Sequence, residues 1–147
     1  MTLEDFQRHV GREIGTSGWV EVDQRRIDTF AACTEDHQFI HVDPSRAQLT
    51  PFGSTVAHGF LTLSLVPKLI SLAAPQVDVT MSVNYGFNRI RFIAPVKSGR
   101  KIRGRFTLLQ LVCLDDSRWR QTLEVVIDVE GQDKPALIAE WILLHFI

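Results

Sequence analysis

The spacing of apolar and polar positions changes character halfway along the chain. From residue 77 onward it alternates with a period of two in four stretches: VDVTMSVNYGFNRIRFI, RKIRGRFTLLQLVCL, WRQTLEVVIDVE and PALIAEWILLHFI. Each predicts a strand, because successive side chains of an extended chain point to opposite faces. DDS and EGQDK supply turns between the later ones.

The first half carries helical spacing. Thr2 can cap a short helix, with Asp5 three positions on and Leu3, Phe6 and Val10 along one face; Gly11 and Gly15 end it. GWVEVD alternates and predicts a short strand. Asp23 caps a helix over about 24–34, with Ile27, Phe30 and Ala31 facing inward, and Asp43 followed by Pro44 marks another helix start. The stretch 59–73, GFLTLSLVPKLISLA, is apolar nearly all round and too long for an ordinary strand. It predicts a helix buried on most sides and bent at Pro67. Helices first and long antiparallel strands second define an α+β fold: one sheet packed on one long, mostly buried central helix.

A length of 147 residues suits a single domain, 1–147, with its own core. A net charge of -1 gives no global attraction to nucleic acid or to anionic lipid. No apolar run approaches the ~20 residues of a membrane span. The opening MTLEDFQRHVGREIG is charged and lacks a signal-peptide core, so the expected location is cytoplasmic. Cys33 and Cys113 lie in apolar contexts without CxxC spacing, which predicts two reduced core cysteines.

Candidate chemistry concentrates in DHQFIHVD, residues 36–43. Several readings compete. His37 and His41, four apart, could share a metal, but the Glu of a zinc-protease helix is missing. Cys33 with His37 could form a thiol pair. Asp36 and Asp43 could be turn formers and caps beside solvated histidines; Asp43 before Pro44 reads chiefly as a cap. Alternatively, Asp36 and His41 form an acid–base pair across a tight loop, holding one water beside an apolar wall of Phe39 and Ile40. Further on, AHG precedes the apolar helix. If Gly59 opens that helix, its backbone N–H is free to donate to an oxyanion, and the missing side chain lets a substrate carbonyl approach.

These residues carry a family resemblance. EDHQFIHVDPSRA and PFGSTVAHGFLTLSL resemble the MaoC-like dehydratases, or R-specific enoyl-CoA hydratases, including NodN-like members. Asp36, His41, Asp43, Phe52, Ala57, His58 and Gly59 match the family pattern in order, with Val56 in place of the usual Ile. RFIAPVKSG resembles the family's later strand–turn–strand segment. The resemblance implies a hot-dog fold and the reversible syn hydration of trans-2-enoyl-CoA to (R)-3-hydroxyacyl-CoA. It further implies that Asp36 and His41 hold and activate the water and that the Gly59 N–H binds the thioester carbonyl. No metal or redox cofactor is implied; coenzyme A is part of the substrate.

Gln38, Phe39, Phe60, Asn84, Tyr85 and Asn88 are the candidates for contacting the acyl thioester. Gln38-Phe39 replaces the family's Asn-Pro, and Pro67 aligns with a site serine of some members. His58 is expected to support the loop or a dimer contact. Arg100, Lys101, Arg103 and Arg105 form a solvated strand face or meet the phosphates of coenzyme A. A lone domain of this kind leaves a sheet edge open, so a homodimer is expected. Two rivals stand beside the hydratase: a hot-dog acyl-CoA thioesterase, and a non-catalytic subunit that binds acyl thioesters.

Overall fold

The computed structural model describes residues 1–147. The chain forms α1 (Leu3–Gln7), β1 (Glu13–Thr16), β2 (Val20–Val22), α2 (Gln24–Thr34), α3 (Phe39–Val42), α4 (Pro44–Ala47), α5 (Gly59–Ser64) and α6 (Val66–Ser71). The long strands β3 (Met81–Phe92), β4 (Arg100–Asp115), β5 (Arg118–Val129) and β6 (Leu137–Phe146) follow. All six strands join one antiparallel sheet in the order β1-β4-β5-β6-β3, with β2 also pairing β4.

The period-two pattern does what it predicts. Along β6, Leu137, Ala139, Trp141, Leu143 and His145 are buried while their neighbours are not. Ile102, Phe106 and Leu108 of β4 and Leu123, Val125 and Ile127 of β5 are completely buried on the same side. Val66 and Leu69 of α6 lie against this face. The approach is close at Gly104: a Cβ there would come within 3.2 Å of the Leu69 Cβ and nearer still to the Phe106 ring. Glycine lets the helix settle onto the sheet.

The helix caps follow the sequence. Thr2, Asp23 and Asp43 each accept a backbone N–H three residues on, from Asp5, Arg26 and Arg46. Other expectations need correction. The stretch 59–73 is interrupted near Pro67, as expected, but it is not buried on most sides. It is α5 and α6 joined at Leu65, whose N–H reaches back to Leu61 and whose carbonyl accepts from Leu69. Pro67 cannot donate to the preceding turn, and the rod breaks just before it. Its outer side is open in the single chain: Phe60 is 66% and Leu72 55% exposed. A single sheet covers only one side of a helix.

The first helix ends at Gln7, so Val10 leaves its face and is exposed, and Gly15 belongs to β1 rather than to a helix end. The segment between Asp36 and His41 is not a loop throughout: Phe39 opens the one-turn α3. Both cysteines are exposed rather than core, because Cys33 falls on the outer side of α2 and Cys113 in the protruding end of β4. No helix is long and apolar enough to cross a membrane.

Candidate active site

Asp36 and His41 are brought together by backbone geometry. Helix α2 ends at Glu35, whose φ of 60° turns the chain into the left-handed region. The next residues reverse direction: the Gln38 N–H points to the Asp36 carboxylate at 3.4 Å, and the His41 N–H closes on the Gln38 carbonyl at 3.0 Å. His41 thereby turns inward and is only 7% exposed, while Asp36 stays exposed at the rim.

His41 Nδ1 lies 2.6 Å from the Val56 carbonyl. A carbonyl can only accept, so Nδ1 carries the proton and Nε2 keeps the lone pair. Burial lowers the pKa of His41; the bond to Val56 and the charge of Asp36 oppose this, and His58 reinforces it. The ring is therefore neutral at neutral pH, with a basic nitrogen available. Val56 is itself anchored by a bridge to Lys97, and the adjacent Ala57 N–H donates to the Val96 carbonyl at 2.7 Å.

His58 completes the cluster. Its Nε2 donates to the Asp36 carbonyl at 3.0 Å, and its ring stacks on His41 with 3.8 Å between centroids. Phe30 packs against it at 4.9 Å. His58 Nδ1 is buried and finds no hydrogen-bond partner in the chain. The nitrogen and oxygen atoms offered by Asp36, His41 and His58 all lie within 4.8 Å of one another. That spacing accommodates one small polar species, whether a water or a cation. His37, the expected metal partner of His41, is exposed and outside the cluster.

Gly59 follows directly as the first residue of α5, with His58 at the cap. The Leu61 and Thr62 amides bond back to His58, whereas a first helical residue has no intrahelical acceptor for its own N–H. A Cβ at Gly59 would lie 2.9 Å from two ring carbons of Phe92. Gly59 lines a cavity with Phe52, Thr62, Phe92 and Ile93 that does not include Asp36 or His41. His58 thus stands between the two candidates, preceding Gly59 in the chain and stacking on His41.

The remaining candidates scatter. Gln38 is exposed, and half-buried Phe39 has the Arg46 guanidinium 4.2 Å over its ring. Phe60 meets Phe92 edge-on at 6.0 Å, next to Gly59. Asn84 accepts from the Trp141 indole at 3.2 Å and lines two cavities between α5–α6 and the sheet. Tyr85 is exposed, and Asn88 donates to Glu140 at 2.5 Å. Arg103 and Arg105 both bind Asp128, at 3.2 and 2.8 Å, and that carboxylate offsets much of their charge toward a phosphate.

Two features escaped the sequence. Gln24 donates to the His41 carbonyl at 2.7 Å and accepts from Thr55 at 2.5 Å, tying α2, α3 and the anchored segment together. Nothing in its position at a helix start signals this. Buried Gln121 and His145 form a polar chain that ends at exposed Ser82 on the edge strand. A histidine at an inward position of an otherwise apolar strand was the available signal.

Comparison with known proteins identifies the family and the fold. Residues 5–133 match the MaoC like domain, and the chain belongs to that family of dehydratases. It is 46% identical to Nodulation protein N of Rhizobium leguminosarum bv. viciae, over 98% of this chain and 91% of that protein. It is 40% identical to 3-hydroxyacyl-thioester dehydratase Z of Mycobacterium tuberculosis, over 98% and 95% respectively. Among solved structures, the (R)-hydratase of A. caviae involved in PHA biosynthesis superimposes with a TM-score of 0.73 at 25% identity, covering 90% of this chain and 96% of that one. The fold is the hot-dog α+β fold.

Proposed function

We propose that the protein is an (R)-specific enoyl-CoA hydratase, adding water reversibly across the double bond of trans-2-enoyl-CoA. The observation that carries this is the pairing of the Asp36 carboxylate with the lone pair of a neutral, tautomer-fixed His41, their polar atoms within 4.8 Å. A water between them donates one hydrogen to each. His41 Nε2 takes a proton as the water oxygen adds to C3, and a proton returns to C2 from the same side. Negative charge that builds on the thioester oxygen meets the Gly59 N–H. The water is activated by these two side chains alone, so the reaction calls for no metal or redox cofactor.

A homodimer belongs to the same proposal. Strand β3 is the unpaired outer edge of the sheet, and Met81, Tyr85, Phe87 and Phe92 along it are exposed. A second copy placed there would cover both edge and aromatics. Sizing in solution tests this; a monomer that retains full activity would refute it.

The deciding experiment is incubation with crotonyl-CoA, following the enoyl chromophore and free thiol in parallel. Hydration removes the chromophore without releasing thiol, and chiral analysis should give the (R) product. Thiol release with the double bond intact would instead mean a thioesterase. Tight binding with neither change would mean a non-catalytic acyl-thioester subunit.

A further inference from the structure

A cavity of about 430 Å³, which Asp36 does not line, lies between the end of α6 and the sheet. Gly59 and Leu63 of α5 and Pro67 and Ile70 of α6 recur at steps of three or four residues and mark one face of the broken helix. Three successive cavities follow that face. The first touches Gly59 and Phe92, the second Leu63, Pro67, Phe87 and Asn84, and the third Pro67, Ile70, Asn84 and His145. The last two share Pro67, Asn84 and Trp141 as common walls. At 1.5 Å per residue, Gly59 and Ile70 are about 16 Å apart. Only a long acyl tail, with its thioester carbonyl at Gly59, reaches the third cavity.

The wall at that far end is polar in a specific way. His145 Nε2 faces the Gln121 side-chain oxygen at 2.6 Å and therefore donates to it. Burial lowers the pKa of His145, so the ring is neutral and its Nδ1 accepts from the Ser82 hydroxyl at 2.7 Å. This fixes the Gln121 amide: its oxygen is engaged, and its nitrogen makes no hydrogen bond within the chain. Among side-chain nitrogens and oxygens of non-exposed residues, His58 Nδ1 is the one both shut away and unpartnered, so the Gln121 nitrogen has access to the cavity that it lines. Asn84 repeats the arrangement. Its oxygen accepts from Trp141, and its nitrogen is left with donors to offer the same cavity. Two amide nitrogens held by their own oxygens offer donors to a cavity that Ser71, Gln76 and Ser82 also line. No lysine or arginine lines the cavity.

We infer that this chain prefers long acyl thioesters bearing an uncharged oxygen, a hydroxyl or a ketone, in the distal part of the tail, where Gln121 and Asn84 donate to it. The inference rests on the acyl-thioester function proposed above and specifies its substrate class. A bare hydrocarbon tail would displace water from these donors without replacing its hydrogen bonds, which disfavours it. A terminal carboxylate finds no cation and must shed its charge or stay out.

The test compares crotonyl-CoA, a long trans-2-enoyl-CoA with a hydrocarbon tail, and matched long substrates with a hydroxyl or keto oxygen stepped along the distal half. For the best oxygen position, kcat/KM should exceed that of the bare chain about tenfold. Gln121→Leu should bring the ratio close to one. A wild-type ratio at or below one for every position overturns the inference, whether or not the variant folds. A high ratio that survives Gln121→Leu overturns the role of Gln121. Failure to hydrate crotonyl-CoA or any long substrate would sink the hydratase function itself, a result distinct from a mere lack of preference.

Discussion

The imidazoles of His41 and His58 stack with their planes 21° from parallel, and His58 at the same time holds the Asp36 carbonyl. His58 thus positions both members of the proposed acid–base pair. In His58→Leu the imidazole no longer opposes protonation of His41, whose pKa should rise. The acid limb of kcat should then move to higher pH, with turnover down about tenfold from the lost hydrogen bond. A pH–rate profile checks this; slower turnover with an unmoved limb would mean that His58 only fills space.

Asp36→Asn and His41→Gln should each reduce turnover at least about a hundredfold, within the range for general acid–base groups. Circular dichroism and melting should stay close to wild type for Asp36→Asn, since the side chain is exposed. A well-folded variant retaining more than about a third of wild-type rate would remove that residue from the mechanism.

Activity should survive exhaustive chelation. The three donor groups are close enough to trap a cation, so the control matters. Activity lost to a chelator and restored by one divalent ion would assign Asp36, His41 and His58 as ligands instead.

Gly59→Val should act on kcat more than on KM. The new side chain would press on Phe92 and displace the thioester carbonyl from the free N–H. Loss of such a donor costs about 2.7–4 kcal/mol of transition-state stabilisation. Equal kcat with a raised KM would show that the Gly59 N–H binds ground state and transition state alike.

Acid should destabilise the fold early. Burial holds His41 and His145 below the ordinary imidazole value of 6.5. Below that value the unfolded chain binds protons that the folded chain refuses. Stability is therefore full above about 6.5 and declines as the pH falls through each lowered pKa. Melting temperature against pH should show this slope, and His145→Gln should flatten it.

Much of this was legible in the chain itself. Caps at Thr2, Asp23 and Asp43 are local hydrogen bonds, and alternation along β4 to β6 reports burial directly. Asp36 and His41 are five residues apart, so a short turn suffices to join them. What stayed hidden depends on distant partners. Gln24 acts through Thr55, thirty-one residues away, and His145 through Gln121 and Ser82 on neighbouring strands. The exposed cysteines misled for a related reason: apolar neighbours in sequence do not say which side of an element meets the core.

The order of elements also sets a timetable. Asp36, His41, His58 and Gly59 all precede residue 60, whereas the sheet that supports them is made of β3 to β6. Strand β6 sits between β5 and β3, pairing Met81 with Phe146 across the whole intervening sequence. On the ribosome the chemistry emerges first and waits, unsupported, for β6. Long-range strand pairing of this kind slows folding and leaves apolar surface open meanwhile. A stalled or prematurely ended chain would carry every proposed catalytic group and still lack the sheet that supports them.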